Sequence, residues 1–151
     1  MQLLIRAPEV EELPALGELC LRSKAVWGYD ADFMEACRSE LSFAPADLVS
    51  SKIAVAARGD SVLGVAQVRV TGRDADLAKL FVEPAALRGG VGRALFAWAV
   101  DAARAMGASR MTIDANPDAA PFYRRLGAHD AGLAPSGSIP GRMLPRLMLD
   151  L

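Results

Sequence analysis

An α/β (α+β) fold, with a mixed, mostly antiparallel sheet of six or seven strands and helices on both faces, is predicted by three features of this sequence. Strand-like and helix-like stretches follow in the order β-α-α-β-β-β-α-β-α-β-β. Three of the strand-like stretches are joined by Arg58-Gly59-Asp60 and Thr71-Gly72-Arg73-Asp74, turns short enough to demand antiparallel pairing. A long amphipathic helix begins directly after a glycine-rich loop, Arg88-Gly89-Gly90-Val91-Gly92.

Taken in order, Leu3 to Arg6 reads as a short strand ended by Pro8. A helix follows over Glu11 to Lys24, with Leu13, Leu16, Cys20 and Lys24 on one stripe and Leu19 beside it. Pro14 fits there only in the first turn, where a missing N–H breaks nothing. A second helix spans Ala31 to Leu41 with Asp30 as N-cap, and a loop runs on to Ser51. Ile53–Ala57, Val62–Val70 and Asp76–Val82 form the three-strand meander. The long helix covers Val91 to Met106. Leu95, Trp98, Ala99, Ala102 and Met106 make its apolar face, and Gly107 is the stop. Met111–Ile113 is a strand, Ala119–Leu126 a short helix, His129–Leu133 a strand, and Arg142–Leu149 a last strand interrupted by Pro145.

The chain has 151 residues, which fits one domain over residues 1–151. With 52% hydrophobic residues it is a folding chain rather than a disordered one. A net charge of −1 supplies no electrostatic footprint for nucleic acid or an anionic membrane. Cys20 and Cys37 have no partner at metal spacing, so no metal site is expected and both read as reduced core thiols. No apolar run reaches the ~18 residues of a spanning helix and no secretory leader precedes the first strand, so a cytoplasmic protein is expected.

The glycine loop is where function is legible. A helix leaves its first N–H donors unpaired, and its dipole adds partial positive charge at that end. With side chains removed at Gly89, Gly90 and Gly92, this is a site for an anionic group, most often a phosphate. Three designs compete. A Walker loop fails because no Lys-Ser or Lys-Thr follows the glycines. A dinucleotide loop wants a third glycine where Leu95 stands and an immediate strand-to-glycine turn, although Asp114 does lie near the place of a ribose-binding acid. The third design resembles the residues closely. Val82-Glu83-Pro84, then Gly90-Val91-Gly92-Arg93-Ala94-Leu95, then Asn116-Pro117-Asp118-Ala119-Ala120-Pro121-Phe122-Tyr123-Arg124-Arg125-Leu126-Gly127 are similar to the coenzyme A signature of the GCN5-related N-acetyltransferase (GNAT) superfamily. The resemblance runs from Ile53 to the C-terminus and covers the opening in outline. Leu87 departs from it, standing where the family usually has Gln or Arg; Arg88 is adjacent.

The resemblance implies transfer of an acetyl group from acetyl-CoA to an amine, and assigns roles. Backbone amides of Arg88, Gly89, Gly90, Val91, Gly92, Arg93 and Ala94 would hold the pyrophosphate. Leu80, Phe81 and Val82 would align the thioester through their backbone, and Asn116 would hydrogen-bond the cofactor arm. Tyr123 would protonate the departing thiolate: a phenol of pKa ~10 donates to a thiol of pKa ~8.5 without ionising at pH 7. Each also has a purely structural reading: a packing turn, core strand residues, an ordinary Asn cap before Pro, an aromatic beside Phe122. A lysine-type amine is free base about once in 2,500 at pH 7, so a base is useful. Asp76, Asp114, Glu83 and His129 are candidates, with Asp114 preferred and water-mediated proton loss equally open.

For the acceptor, Trp27 and Tyr29 in the turn between the first two helices and Arg142 before the last strand are the candidate contacts, lining a small polar pocket or simply packing a junction. A small-molecule amine is favoured over a protein. Other readings are a non-catalytic coenzyme A sensor on the same fold and a dinucleotide-binding domain. Strand edges near the C-terminus make a homodimer possible.

Overall fold

The computed structural model describes residues 2–151. The two glycine turns close β2 (Lys52–Arg58), β3 (Ser61–Thr71) and β4 (Asp74–Val82) into an antiparallel meander. Around it stand β1 (Leu4–Arg6), β5 (Arg110–Asp114), β6 (His129–Pro135) and β7 (Met143–Asp150). The order across the seven-stranded sheet is β1-β2-β3-β4-β5-β7-β6, and only β4 and β5 run parallel. The helices are α1 (Leu13–Ala25), α2 (Ala31–Cys37), α3 (Asp47–Ser50), α4 (Val91–Ala105) and α5 (Ala120–Arg125).

The two faces are covered by different helices. On one, Leu13, Leu16, Leu19 and Cys20 of α1 pack on Val55 and Val65. On the other, Phe96, Ala99 and Ala103 of α4 pack with Val68, Ala75, Leu77 and Met111. Gly64 decides how closely α4 sits: a Cβ there would lie 2.8 Å from Leu95 Cδ1 and 3.0 Å from Val91 Cγ1. The side chain of Leu95 is fully buried, and truncating such a leucine to alanine costs about 2–5 kcal/mol.

Several boundaries differ from the sequence expectation. The second helix ends at Cys37, because residues 38–41 turn to bury Leu41. The expected loop to Ser51 contains α3, whose Asp47 accepts from Ala44 N. On α4 Leu95 and Ala99 are buried as expected, but Phe96 and Ala103 share that face, and Met106 at the helix end is exposed. Pro145 does not interrupt β7. Its carbonyl accepts from Ala115 N at 2.9 Å, which puts its missing N–H on the same side, facing the chain just past the end of β5 rather than the ladder with β6. The sheet edges are therefore β1 and β6. Cys20 and Cys37 are buried and unpaired, and burial pushes the Cys20 thiol up to about 12. Asp30 does cap α2, accepting from Phe33 N at 2.8 Å. Among the described residues no helix is long and apolar enough to cross a membrane, and no acid, cysteine and histidine cluster could hold a metal.

Candidate active site

The parallel pair of strands comes apart. β4 and β5 match at Asp74↔Arg110, Ala75↔Met111 and Asp76↔Thr112, and beyond that both continue unpaired. A bulge in β4 starts the divergence: Lys79 faces Gln67 and Leu77 faces Val68, leaving Ala78 without a partner. Past the bulge, Glu83 N donates to Leu63 O at 2.7 Å. Hydrogen-bonded and non-bonded pairs alternate in an antiparallel ladder. The backbone of Phe81 therefore turns toward β3, and that of Leu80 and Val82 turns into the gap. Of the three predicted rail residues, two turn their main-chain groups into the gap. The gap opens a cleft of ≈ 550 Å³.

At one end of the cleft lies the glycine loop. After a short 3-10 turn, Pro84–Ala86, the chain reaches Gly90 at φ 80, a left-handed conformation that no other residue type adopts cheaply. This aims the start of α4 at the cleft. Gly92 is needed for a different reason: a Cβ there would stand 3.3 Å from Phe122 Cζ. Two of the predicted donors are already used, Gly89 N by Ala86 O at 3.2 Å and Ala94 N by Gly90 O at 3.0 Å. The cradle is thus narrower than the sequence suggests and consists of the amides of Arg88, Gly90, Val91, Gly92 and Arg93. The Arg88 and Arg93 side chains flank it, exposed and with no carboxylate partner among the described residues. Leu87 also lines it, 51% exposed, a large apolar side chain that α4 does not need.

Tyr123 stands across the cleft on α5. It is 6% exposed, packed edge-on against Phe122 at 5.1 Å and tilted against Phe96 at 5.8 Å. Its hydroxyl has no protein partner among the described residues, and burial raises its pKa above the ordinary phenol value. It is held protonated at the cleft wall.

The base candidates fare less well. Asp114 lines the cleft, but both its oxygens accept from Arg146, at 2.8 and 3.0 Å. With both oxygens engaged by the guanidinium, Asp114 is tied to β7 rather than offered to an amine, which counts against the preference for it. Glu83 is held the same way by Arg22, which lowers its pKa. His129 is exposed on β6, away from the cleft. Asp76 sits at the apex of the split, its pKa raised by desolvation and by the neighbouring Asp114, yet it does not line the cleft.

The acceptor candidates separate. Trp27 lines the cleft, 46% exposed. Tyr29 and Arg142 do not line it; they brace it from behind. Tyr29 OH donates to Asn116 Oδ1 at 2.6 Å, and Arg142 Nη2 donates to the same oxygen at 3.0 Å and to Tyr29 OH at 2.8 Å. The clamp joins the α1–α2 turn, the end of β5 and the β6–β7 loop. With its oxygen saturated, Asn116 has its amide NH₂ free for a ligand carbonyl. Phe33 completes the clamp, stacked on Tyr29 at 4.1 Å with the Arg142 guanidinium 4.9 Å from its ring. Sequence reasoning missed Phe33, although an aromatic on each side of the Asp30 cap was a readable signal. It also missed Lys79, the lone cation in the apolar run Leu77-Ala78-Lys79-Leu80-Phe81-Val82, which is 9% exposed and lines the cleft.

A split sheet offering main-chain groups, an amide cradle for phosphates at a helix start and a protonated phenol facing both are the working parts of an acyltransferase that takes its acyl group from a nucleotide thioester. The chain belongs to the acetyltransferase (GNAT) family, whose match spans residues 22–128. The fold agrees. An N-acetyltransferase from Thermoplasma acidophilum, solved in complex with coenzyme A, superposes with a TM-score of 0.80 at 16% identity, all of each chain being covered. A GCN5-related N-acetyltransferase from Rhodopseudomonas palustris gives 0.78 at 22% identity, over 98% of this chain and 95% of that one. Another from Kribbella flavida gives 0.69 at 25% identity, over 99% and 98%. No curated protein sequence matches the chain. The protein is an N-acetyltransferase of this family, with acetyl-CoA as donor and an amine as acceptor.

Proposed function

We propose that this protein acetylates a primary amine of a small molecule by direct transfer while donor and acceptor are bound together. One observation carries the reading: cradle, rail and phenol face a single cleft, and Asn116 of its wall is held by Tyr29 and Arg142, which tie the α1–α2 turn to the β6–β7 loop. An extended peptide needs an open groove, and the clamp ties the two segments that would have to part. The β6–β7 loop is also fixed from within, Ser136 Oγ accepting from Ser138 N at 3.2 Å and Ile139 N at 3.0 Å.

The residues fit coenzyme A. Five free amides and two unpaired arginines suit a pyrophosphate, the backbone of Leu80 and Val82 suits an amide-bearing arm, and the Asn116 NH₂ can donate to it. Bound acetyl-CoA supplies a carbonyl for an amine to attack and a thiolate to leave. A main-chain N–H at the gap would polarise that carbonyl, and Tyr123 would give the departing thiolate its proton. Asp114, bound to Arg146, shapes the wall, and the amine loses its proton to water at the open side of the cleft. The outer edge of β6 is free for pairing with a second copy, which sedimentation would reveal.

The test is release of coenzyme A thiol against a panel of small amines and short peptides. Turnover of small amines supports the reading. Activity confined to peptides overturns the choice of acceptor, and no turnover of any amine overturns the reaction.

A further inference from the structure

Lys79 is unlike the other cations of the cleft. Arg88 and Arg93 lie at the cradle with water around them, whereas Lys79 is nine-tenths buried on the α1 side of β4. Its ammonium donates to Gln67 Oε1 at 3.1 Å and lies 4.7 Å from the Phe43 ring centroid. Gln67 is fixed in turn, its amide donating to Ser51 Oγ at 2.9 Å, and Ser51 Oγ to Asp47 O at 2.6 Å. This buried chain sets the direction of the lysine. An ammonium has three donors, and one is used.

No carboxylate answers it. No acid lies within ion-pair distance of Lys79 among the described residues. The nearest acids have other work: Asp47 accepts from Ala44 N and reaches Arg69 at 3.5 Å, and Glu40 lies against Gly137 of the β6–β7 loop. A buried, unpaired charge is costly, and burial lowers the Lys79 pKa accordingly. Lys24 lines the same cleft from α1; of the two acids that line it, Asp114 is paired with Arg146 and Asp118 lies in the turn before α5. Lys79 itself brings to the cleft a positive charge that no acid pairs with, one strand residue, ~3.3 Å, from the rail residue Leu80.

We infer that Lys79 is the anchor for a carboxylate on the acceptor, so that the substrate is an amino-acid-type molecule carrying amine and carboxylate within a few bonds. The inference rests on the acetyltransferase reading above and deepens it. The carboxylate fills the vacant donors of Lys79 and holds the amine at the thioester rail from the α1 side, while the donor arm lies in the gap between β4 and β5.

The experiment compares an amino acid with its own carboxamide, in the wild type and in Lys79→Met and Lys79→Gln. Two readouts are taken: thiol release from acetyl-CoA, and thermal stabilisation of the coenzyme A-loaded protein by each acceptor. Removing a charged hydrogen-bond partner should cost the carboxylate form about 10-fold or more in kcat/KM. The wild type should prefer the acid over the amide by about that factor, and both variants should lose the preference while binding coenzyme A as before. Equal rates on acid and amide in the wild type, or a preference that survives in Lys79→Met, would overturn the assignment. Should no amine be acetylated, the reaction itself fails, and the binding readout still decides the lysine. Acid-selective stabilisation that vanishes in Lys79→Met upholds the anchor; its absence from the wild type refutes it.

Discussion

At the cradle end of the cleft, recognition is main-chain: the amides of Arg88 and Gly90 to Arg93 come from one short stretch and are aimed by a single left-handed glycine. At the acceptor end the hydrogen bonds join side chains from distant segments, Tyr29 reaching Asn116 and Arg142 reaching both. The first kind of site is fixed by chain geometry and survives substitution of most side chains. The second is fixed by partners, and one substitution can undo it. A fold can thus keep one cofactor while its acceptor drifts.

Tyr123 sits where the two ends meet, and its loss should have the largest effect. Tyr123→Phe keeps the packing against Phe96 and Phe122 but removes the proton. Positioned acid catalysis is worth about 10²–10⁴-fold, so kcat should fall by at least ~100-fold while coenzyme A affinity, read by calorimetry, stays put. Because burial raises the phenol pKa, kcat should show no fall up to at least pH ~10 of the kind an ordinary tyrosine titration would bring. An unchanged rate in Tyr123→Phe would assign the proton to water.

The cradle comes next. Gly90→Val places a β-branched residue at φ 80, in open space but in a strained conformation. Such strain costs about 1–3 kcal/mol, which the loop can relieve only by turning its amides away. Coenzyme A affinity should drop about 10- to 100-fold. A variant that binds normally would show the side chains of Arg88 and Arg93, rather than the backbone, to be the grip.

The clamp tests the other half. Arg142→Ala leaves Asn116 and Tyr29 short of a donor, a loss of about 1–3 kcal/mol. The KM for the amine should rise about 10-fold, and acetyl-CoA binding should move by less than half as much on a logarithmic scale. Equal changes for both ligands would mean that the clamp serves the cofactor through Asn116, and the division into two ends would fail.

What the sequence disclosed follows the same division. Gly90, Gly92, Asn116 and Tyr123 lie in local patterns whose spacing carries meaning, and the meander, the cap at Asp30 and the stop at Gly107 follow from turn and helix chemistry alone. Gly90 and Gly107 both adopt positive φ, at 80 and 91. The clamp is not local: its hydrogen bonds join residues 87 and 113 positions apart. No periodicity reports such a pairing, so the sequence left Tyr29 and Arg142 open between lining a pocket and packing a junction; they hold Asn116 and do not themselves line the cleft. Asp114 misled for the same reason, since its partner Arg146 lies on another strand. Lys79 was passed over because a lysine in a strand normally faces solvent, and only the bulge at Ala78 together with α1 and Phe43 buries it.

The smallest effect concerns Leu87, which stands in the cradle where the family resemblance leads one to expect Gln or Arg. Being 51% exposed, it supports little of the core, so replacing it should leave the melting temperature almost unchanged. Leu87→Arg adds a third cation beside Arg88 and Arg93. Solvent-exposed charge pairs contribute about 0.2–1 kcal/mol, so coenzyme A should bind about 1.4- to 5-fold more tightly. The gain should shrink as salt rises, because the added interaction is screened over ~10 Å at 0.1 M. A salt titration of the dissociation constant in wild type and variant separates two cases. A gain that fades with salt means that the amides set the baseline grip and side-chain charge only adjusts it. A gain that persists in high salt, or one of ten-fold or more, would mean that the natural chain lacks a contact the backbone cannot replace, and the cradle would then be no more a main-chain device than the clamp is.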